Sequence, residues 1–171
     1  VGKGFAADAA CAKLRETGVS EAVLNFGGNV SVLGNKNGVG YQIGIRNPDG
    51  GVFGKITVSD LSVVTSGGYE RFFEYHGRKY HHILDPRTGY PSESDLLSAT
   101  VVSSDSMLAD MVSTAFFVCG SERSCALFTE LCKEYPSLTG AVLLTDSHEV
   151  LVLGNLDFSL LDSRYDRINV S

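Results

Sequence analysis

Apolar positions along this chain switch between a helical and a strand period, and the switches mark out its elements. Near the amino end Ala6, Ala9, Ala10 and Leu14 recur with Lys13 at helical spacing, which predicts a helix over residues 5–15, ended by Gly18. The stretch EAVLNFGGNVSVLG, residues 21–34, is apolar and strand-like but interrupted by Gly27-Gly28-Asn29. Glycines inside a strand pattern mark a bulge or a close backbone approach. Strands are predicted at 41–46, 52–59, 62–66, 69–75 and 79–84, separated by turn residues such as Asn47-Pro48-Asp49-Gly50 and His76-Gly77. LLSATVVSS predicts another strand, and SDSMLADMVSTAFFVCG a helix with Asp105 or Ser106 as N-cap and Gly120 as C-cap. A further helix over 121–135 and a hairpin of 141–145 with 149–153 around Asp146-Ser147 follow, while the tail from Asn155 has no clear period. This order predicts one α+β domain with an antiparallel sheet and packed helices rather than repeated βαβ units.

Composition narrows the function. The chain has 171 residues, 43% hydrophobic and 20% charged, which fits one globular domain. Its 14 Lys+Arg against 20 Asp+Glu give a formal charge of −6. That balance argues against a nucleic-acid partner, which needs a cationic surface to displace counterions. A phosphate-bearing ligand would need a metal ion or a few placed cations to offset the field. Cys11, Cys119, Cys125 and Cys132 form no C-x-x-C pair and sit among apolar residues, so they read as small buried hydrophobes, not as a zinc site or disulfide framework. No apolar run approaches the ~20 residues of a spanning helix. The opening VGKGFAADAA carries no initiator Met and starts at the brink of a helix, which reads as a fragment or a processed product with any targeting signal upstream.

The candidate chemistry concentrates in KYHHILDPRTGYPS. Neighbouring strand residues face opposite ways, so only one of His81 and His82 can look into a given cleft. Asp85-Pro86 and Thr88-Gly89-Tyr90-Pro91 are rigid corners that would position such an imidazole, and Asp85 with Arg87 reads as a local structural pair. Asp110 and Thr114 are four apart, so their oxygens share a helix face. They form either half of a hard-cation site or an exposed Asp beside a Thr bonded back to its helix. Lys3 stands before the first helix, where free N–H groups and a positive dipole end favour an anion. Gly27-Gly28-Asn29 lets a backbone approach a flat ligand or forms a simple bulge. Thr65-Ser66-Gly67-Gly68 has the same two readings, with hydroxyls suited to a phosphate or ring edge.

Taken in order, KGFAAD, NFGGNV, VVTSGGYERFF, YHHILDPRTGYPS and ADMVSTAFFVCG resemble the ApbE family of FAD:protein FMN transferases, over nearly the whole chain to about Leu153. The resemblance implies a two-layer α+β architecture related to the tunnelling fold. It implies transfer of the FMN half of FAD to a Thr or Ser hydroxyl of an acceptor flavoprotein, a subunit of a redox complex, with release of AMP and with Mg or another divalent metal. On this resemblance His82 is the candidate base, and Asp110 with Thr114 the metal pair. Lys3 lies along the FAD, Ile83 and Leu84 back the flavin, and Gly28 and Ser66 are further cofactor-binding candidates. It also implies an N-terminal region ahead of K-G-x-A, including a carbonyl ligand of the metal three residues before the Lys, one position before Val1.

Two other functions fit the same residues. Water in place of the protein hydroxyl would make the site a Mg-dependent FAD pyrophosphatase yielding FMN and AMP. A flavin-binding module without catalysis is the other. Family members often act outside the cytoplasm as lipoproteins, which implies an extracytoplasmic location, with the cytoplasm as the alternative, and membrane contact only through an upstream lipid anchor.

Overall fold

The computed structural model describes residues 1–170. Helix α1 (Gly2–Glu16) leads into the hairpin β1 (Ala22–Asn25) and β2 (Asn29–Leu33). Gly27 and Gly28 take positive φ (63° and 88°) and Phe26 N donates to Asn29 O, so the glycine break is a reversing turn rather than a bulge within one strand. Strands β3 (Tyr41–Arg46), β4 (Val52–Val58) and β5 (Ser62–Gly67) follow at the expected places. Next come the short strands β6 (Phe72–Tyr75) and β7 (Arg78–His81), then β8 (Leu96–Ser103). Helices α2 (Ser106–Cys119) and α3 (Ser121–Glu134) precede β9 (Leu138–Thr145) and β10 (Glu149–Gly154). The tail that showed no period supplies β11 (Phe158–Leu160) and β12 (Asp166–Val170).

Seven strands form the main sheet in the order β1-β2-β5-β8-β9-β10-β12, antiparallel throughout except for the β10–β12 pair. Its central strands are apolar on both faces because both are covered. One face carries Val64, Ala99, Val101, Ala141 and Leu143 against Leu108, Val112, Phe116 and Phe128 of α2 and α3. The other carries Val63, Val102, Val142, Leu144, Val150 and Val152 against a three-stranded sheet, β11-β4-β3, which contributes Ile45, Phe53, Ile56 and Phe158. The architecture is therefore α+β, with this second sheet as a further layer beneath the antiparallel one.

Two local findings bear on the site. β6 and β7 make a separate two-stranded sheet, shorter than the strands expected at 69–75 and 79–84, so His82 lies just past β7. Helix α1 begins at Gly2, which puts Lys3 inside its first turn instead of ahead of it. The α2 caps are those expected: Asp105 accepts from Leu108 N and Gly120 ends the helix. All four cysteines are unpaired thiols. No helix among the described residues is long and apolar enough to cross a membrane.

Candidate functional site

Four elements converge at one end of the main sheet. α1 brings Lys3, the end of β5 brings Thr65, Ser66 and Gly67, the segment after β7 brings His82, Ile83 and Leu84, and α2 brings Asp110 and Thr114. Together with Glu70 these line one cavity of about 240 Å³. A wider hollow of about 470 Å³ shares Lys3, Glu70, His82 and Asp110 with it and adds Gly27 and Arg71. Of the catalytic, metal and cofactor-binding residues assigned from the family resemblance, only Gly28 stands aside: it lines a neighbouring crevice of about 110 Å³ between the two sheets, which meets the main cavity at Thr65 and Glu70. The groove formed by the 85–93 turn, about 380 Å³, contains Asp85 and Arg87 but none of the candidate site residues.

The two histidines separate as the strand geometry requires. His81 is half-buried, its ring edge-on to Phe117 at 5.5 Å and its Nε2 3.1 Å from Ser92 O. A carbonyl only accepts, so Nε2 carries the proton, and His81 Nδ1 is buried without a partner among the described residues. His82 is exposed, and its Nδ1 lies 3.3 Å from Arg71 O. By the same logic Nδ1 carries the proton there, which leaves Nε2 as the acceptor. The backbone of His82 is tied to the same carbonyl through its N–H at 3.2 Å. Ile83 is buried and Leu84 is exposed, so the adjacent pair presents one anchoring and one open apolar side chain.

Asp110 is buried, with its Oδ2 accepting from Gly4 N at 2.9 Å. Burial works against the ionised form of its carboxyl, while the Gly4 N–H and the nearby Lys3 charge favour it. One turn on, Thr114 Oγ1 donates to Asp110 O at 3.1 Å and shares a 3.1 Å contact with Ser66 Oγ, which in turn meets Ser113 Oγ at 2.9 Å. The Thr therefore does bond back to its helix, and at least one of its oxygen lone pairs remains available to the cavity. Lys3 Nζ donates to Gly27 O at 3.0 Å, which anchors the cation beside the glycine turn.

A divalent metal can be tested against these donors. Among the described residues no three His, Cys, Asp or Glu side chains cluster to hold an ion. What the cavity offers is the carboxylates of Asp110 and Glu70 and the hydroxyls of Thr65, Ser66 and Thr114, all hard oxygen donors. That set fits a small hard cation that brings most of its shell as water or ligand phosphate, and it fits no soft metal.

Glu70 was not picked out from the sequence. Its carboxylate lies over Gly28, 3.4 Å from where a Cβ would stand, and it borders all three hollows. The only sequence signal for it was an acidic side chain just after the Ser66-Gly67-Gly68 run. Arg71 acts here through its carbonyl, which no side-chain pattern can reveal.

The family model described as the ApbE family matches residues 1–138. The FAD:protein FMN transferase of Klebsiella pneumoniae (strain 342) is 38% identical over 174 aligned residues, covering 99% of this chain and 52% of that protein. The one from Treponema pallidum (strain Nichols) is 38% identical, covering 96% and 48%. The crystal structure of the ApbE protein from Thermotoga maritima superposes with a TM-score of 0.75 at 31% identity, covering 92% of this chain and 48% of that one. The chain thus spans about half the length of the curated relatives it matches. Matching a family model over most of its length, with identities at this level, the chain belongs to the ApbE family.

Proposed function

We propose that this chain carries the catalytic cleft of an FAD:protein FMN transferase. In the proposed reaction a Thr or Ser hydroxyl of an acceptor flavoprotein attacks the FMN phosphorus of FAD. The bond from that phosphorus to the bridging pyrophosphate oxygen breaks, a phosphoester to the acceptor forms, and AMP leaves. The observation that carries this reading is the convergence of Lys3, Ser66, His82, Asp110 and Thr114 on one cavity from four separate elements.

Each side chain has a physical part in it. His82, with Nδ1 engaged by the Arg71 carbonyl, takes the hydroxyl proton on Nε2. Lys3, held beside the glycine turn, and the amino end of α1 supply fixed positive potential for the pyrophosphate in an otherwise acidic chain. Asp110 and Thr114 would hold a divalent cation, Mg or a similar hard ion, whose charge offsets that of the phosphate oxygens. Ile83 and Leu84 give the flavin an apolar wall. A second reading, FAD pyrophosphatase, is favoured by the exposure of His82, which lets water stand where the acceptor hydroxyl would.

The chain incubated with FAD, Mg²⁺ and a purified acceptor domain tests both. Covalent FMN on the acceptor, read by mass spectrometry and reduced about 10²–10⁴-fold in His82→Ala, is the expected result. Release of free FMN and AMP with an unmodified acceptor would favour the pyrophosphatase. Full acceptor labelling by His82→Ala would remove the assigned base.

A further inference from the structure

Helices α1 and α2 cap each other. The first turn of α1 is met by Asp110 of α2, whose Oδ2 accepts from Gly4 N at 2.9 Å. In return Asp8 of α1 reaches the amino end of α2, where Oδ1 accepts from Ser106 N at 3.0 Å and Oδ2 from Met107 N at 2.9 Å. Asp105 takes only Leu108 N, so two of the free donors of α2 depend on a carboxylate from another helix. Gly4 and Asp8 are one turn apart on the α1 face that meets α2. A Cβ on Gly4 would stand 2.6 Å from Met107 Cα and closer still to Ser106 O, so the two backbones touch where the caps cross.

Asp8 lines none of the hollows around the site, so it touches no ligand there. Asp110 lies about one helical turn beyond the donors that Asp8 holds. We propose that Asp8 is a positioning residue: by pinning the amino end of α2 to α1 it sets where the Asp110 carboxylate stands beside Lys3, and thereby the affinity of the site for a divalent cation. The inference rests on the reading of Asp110 as a cation ligand. Hard cations hold their oxygens to within a few tenths of an ångström, so a small slide of α2 along α1 is enough to weaken binding.

The test is Mn²⁺ binding to the whole chain, followed by paramagnetic broadening of the Gly4 and Asp110 amide signals, with the folded fraction checked by circular dichroism. The chains compared are the unaltered one, Asp8→Asn, Asp8→Glu, Asp110→Asn and the double variant Asp8→Asn/Asp110→Asn. We expect Asp8→Asn to weaken Mn²⁺ binding by about 10–100-fold while folded. Asp8→Glu, which keeps the charge but not the reach, should not restore it, and it carries the same comparison should the amide variant fail to fold. On top of Asp110→Asn, Asp8→Asn should add less than about twofold, because the two act through one carboxylate. Unchanged binding in Asp8→Asn beside lost binding in Asp110→Asn overturns the positioning role alone. An equal loss from Asp8→Asn in both backgrounds does the same. Unaltered Mn²⁺ binding in Asp110→Asn overturns the reading of Asp110 and, with it, this inference.

Discussion

His81 and His82 share a backbone and little else. The His81 ring is packed on Phe117 and tied to Ser92 O, which fastens the 82–92 turn to the carboxyl end of α2. His82 is exposed and held through Arg71 O. His81→Ala should therefore cost about 1–3 kcal/mol of stability through lost packing and an unpaired carbonyl, whereas His82→Ala should stay within about 0.5 kcal/mol; urea unfolding of both variants measures the contrast. The local pairing expected of Asp85 and Arg87 is present as a two-pronged ion pair, with Arg87 Nη2 to Asp85 Oδ2 at 2.7 Å and Arg87 Nε to Oδ1 at 3.0 Å. The Arg87 side chain and its backbone N–H hold the Asp85 carboxyl well below its usual range, at about 2. A depressed carboxyl pKa contributes stability that is fully present above the ordinary value of about 4 and is lost as pH falls through about 2. In Arg87→Gln the Asp85 midpoint should return toward about 4, followed by carboxyl-carbon NMR.

At the level of elements, the α1–α2 contact decides most. Gly4→Ala forces a methyl group into the Ser106–Met107 backbone and should cost about 1–3 kcal/mol while loosening the Asp110 contact. Gly2→Ala, in the same helix turn with nothing within 4 Å of its Cβ, should be neutral or stabilising by up to about 1 kcal/mol. Thermal melts of the two variants test this directly. The β6–β7 hairpin shows a limit of pattern reading. Its aromatic alternation, with Phe73 stacked on Tyr80 at 5.2 Å, identifies strands but not which sheet they join. Because it stands apart from the main sheet and ends before His82, the imidazole sits on a bend at the cavity edge instead of in a ladder. Likewise the 21–34 stretch reads as an interrupted strand, since Gly-Gly serves a bulge and a tight turn equally well until its partner strand is known.

At the scale of the whole molecule the main sheet separates two cores, and each can be probed. Phe53, fully buried between the sheets, should cost about 3–5 kcal/mol as Phe53→Ala, while Phe73→Ala, 64% exposed on the hairpin, should change stability by about 0.5 kcal/mol or less; denaturant midpoints report both. By itself the sequence determined the helices, the caps of α2, most strands and the α+β class, because period, cap and turn chemistry act over a few neighbouring residues. It also identified, through the ordered blocks from KGFAAD to ADMVSTAFFVCG, the family and most of the residues that line the cavity. Only the tertiary structure decided that a second sheet covers the far face, that Glu70 borders every hollow of the site, and that Asp8 and Asp110 cap each other's helices. Those facts join positions up to about a hundred residues apart, and the Asp8–Ser106 contact spans 98. No local pattern encodes such a distance; it is set by which surfaces the packed helices and sheets bring within hydrogen-bond reach.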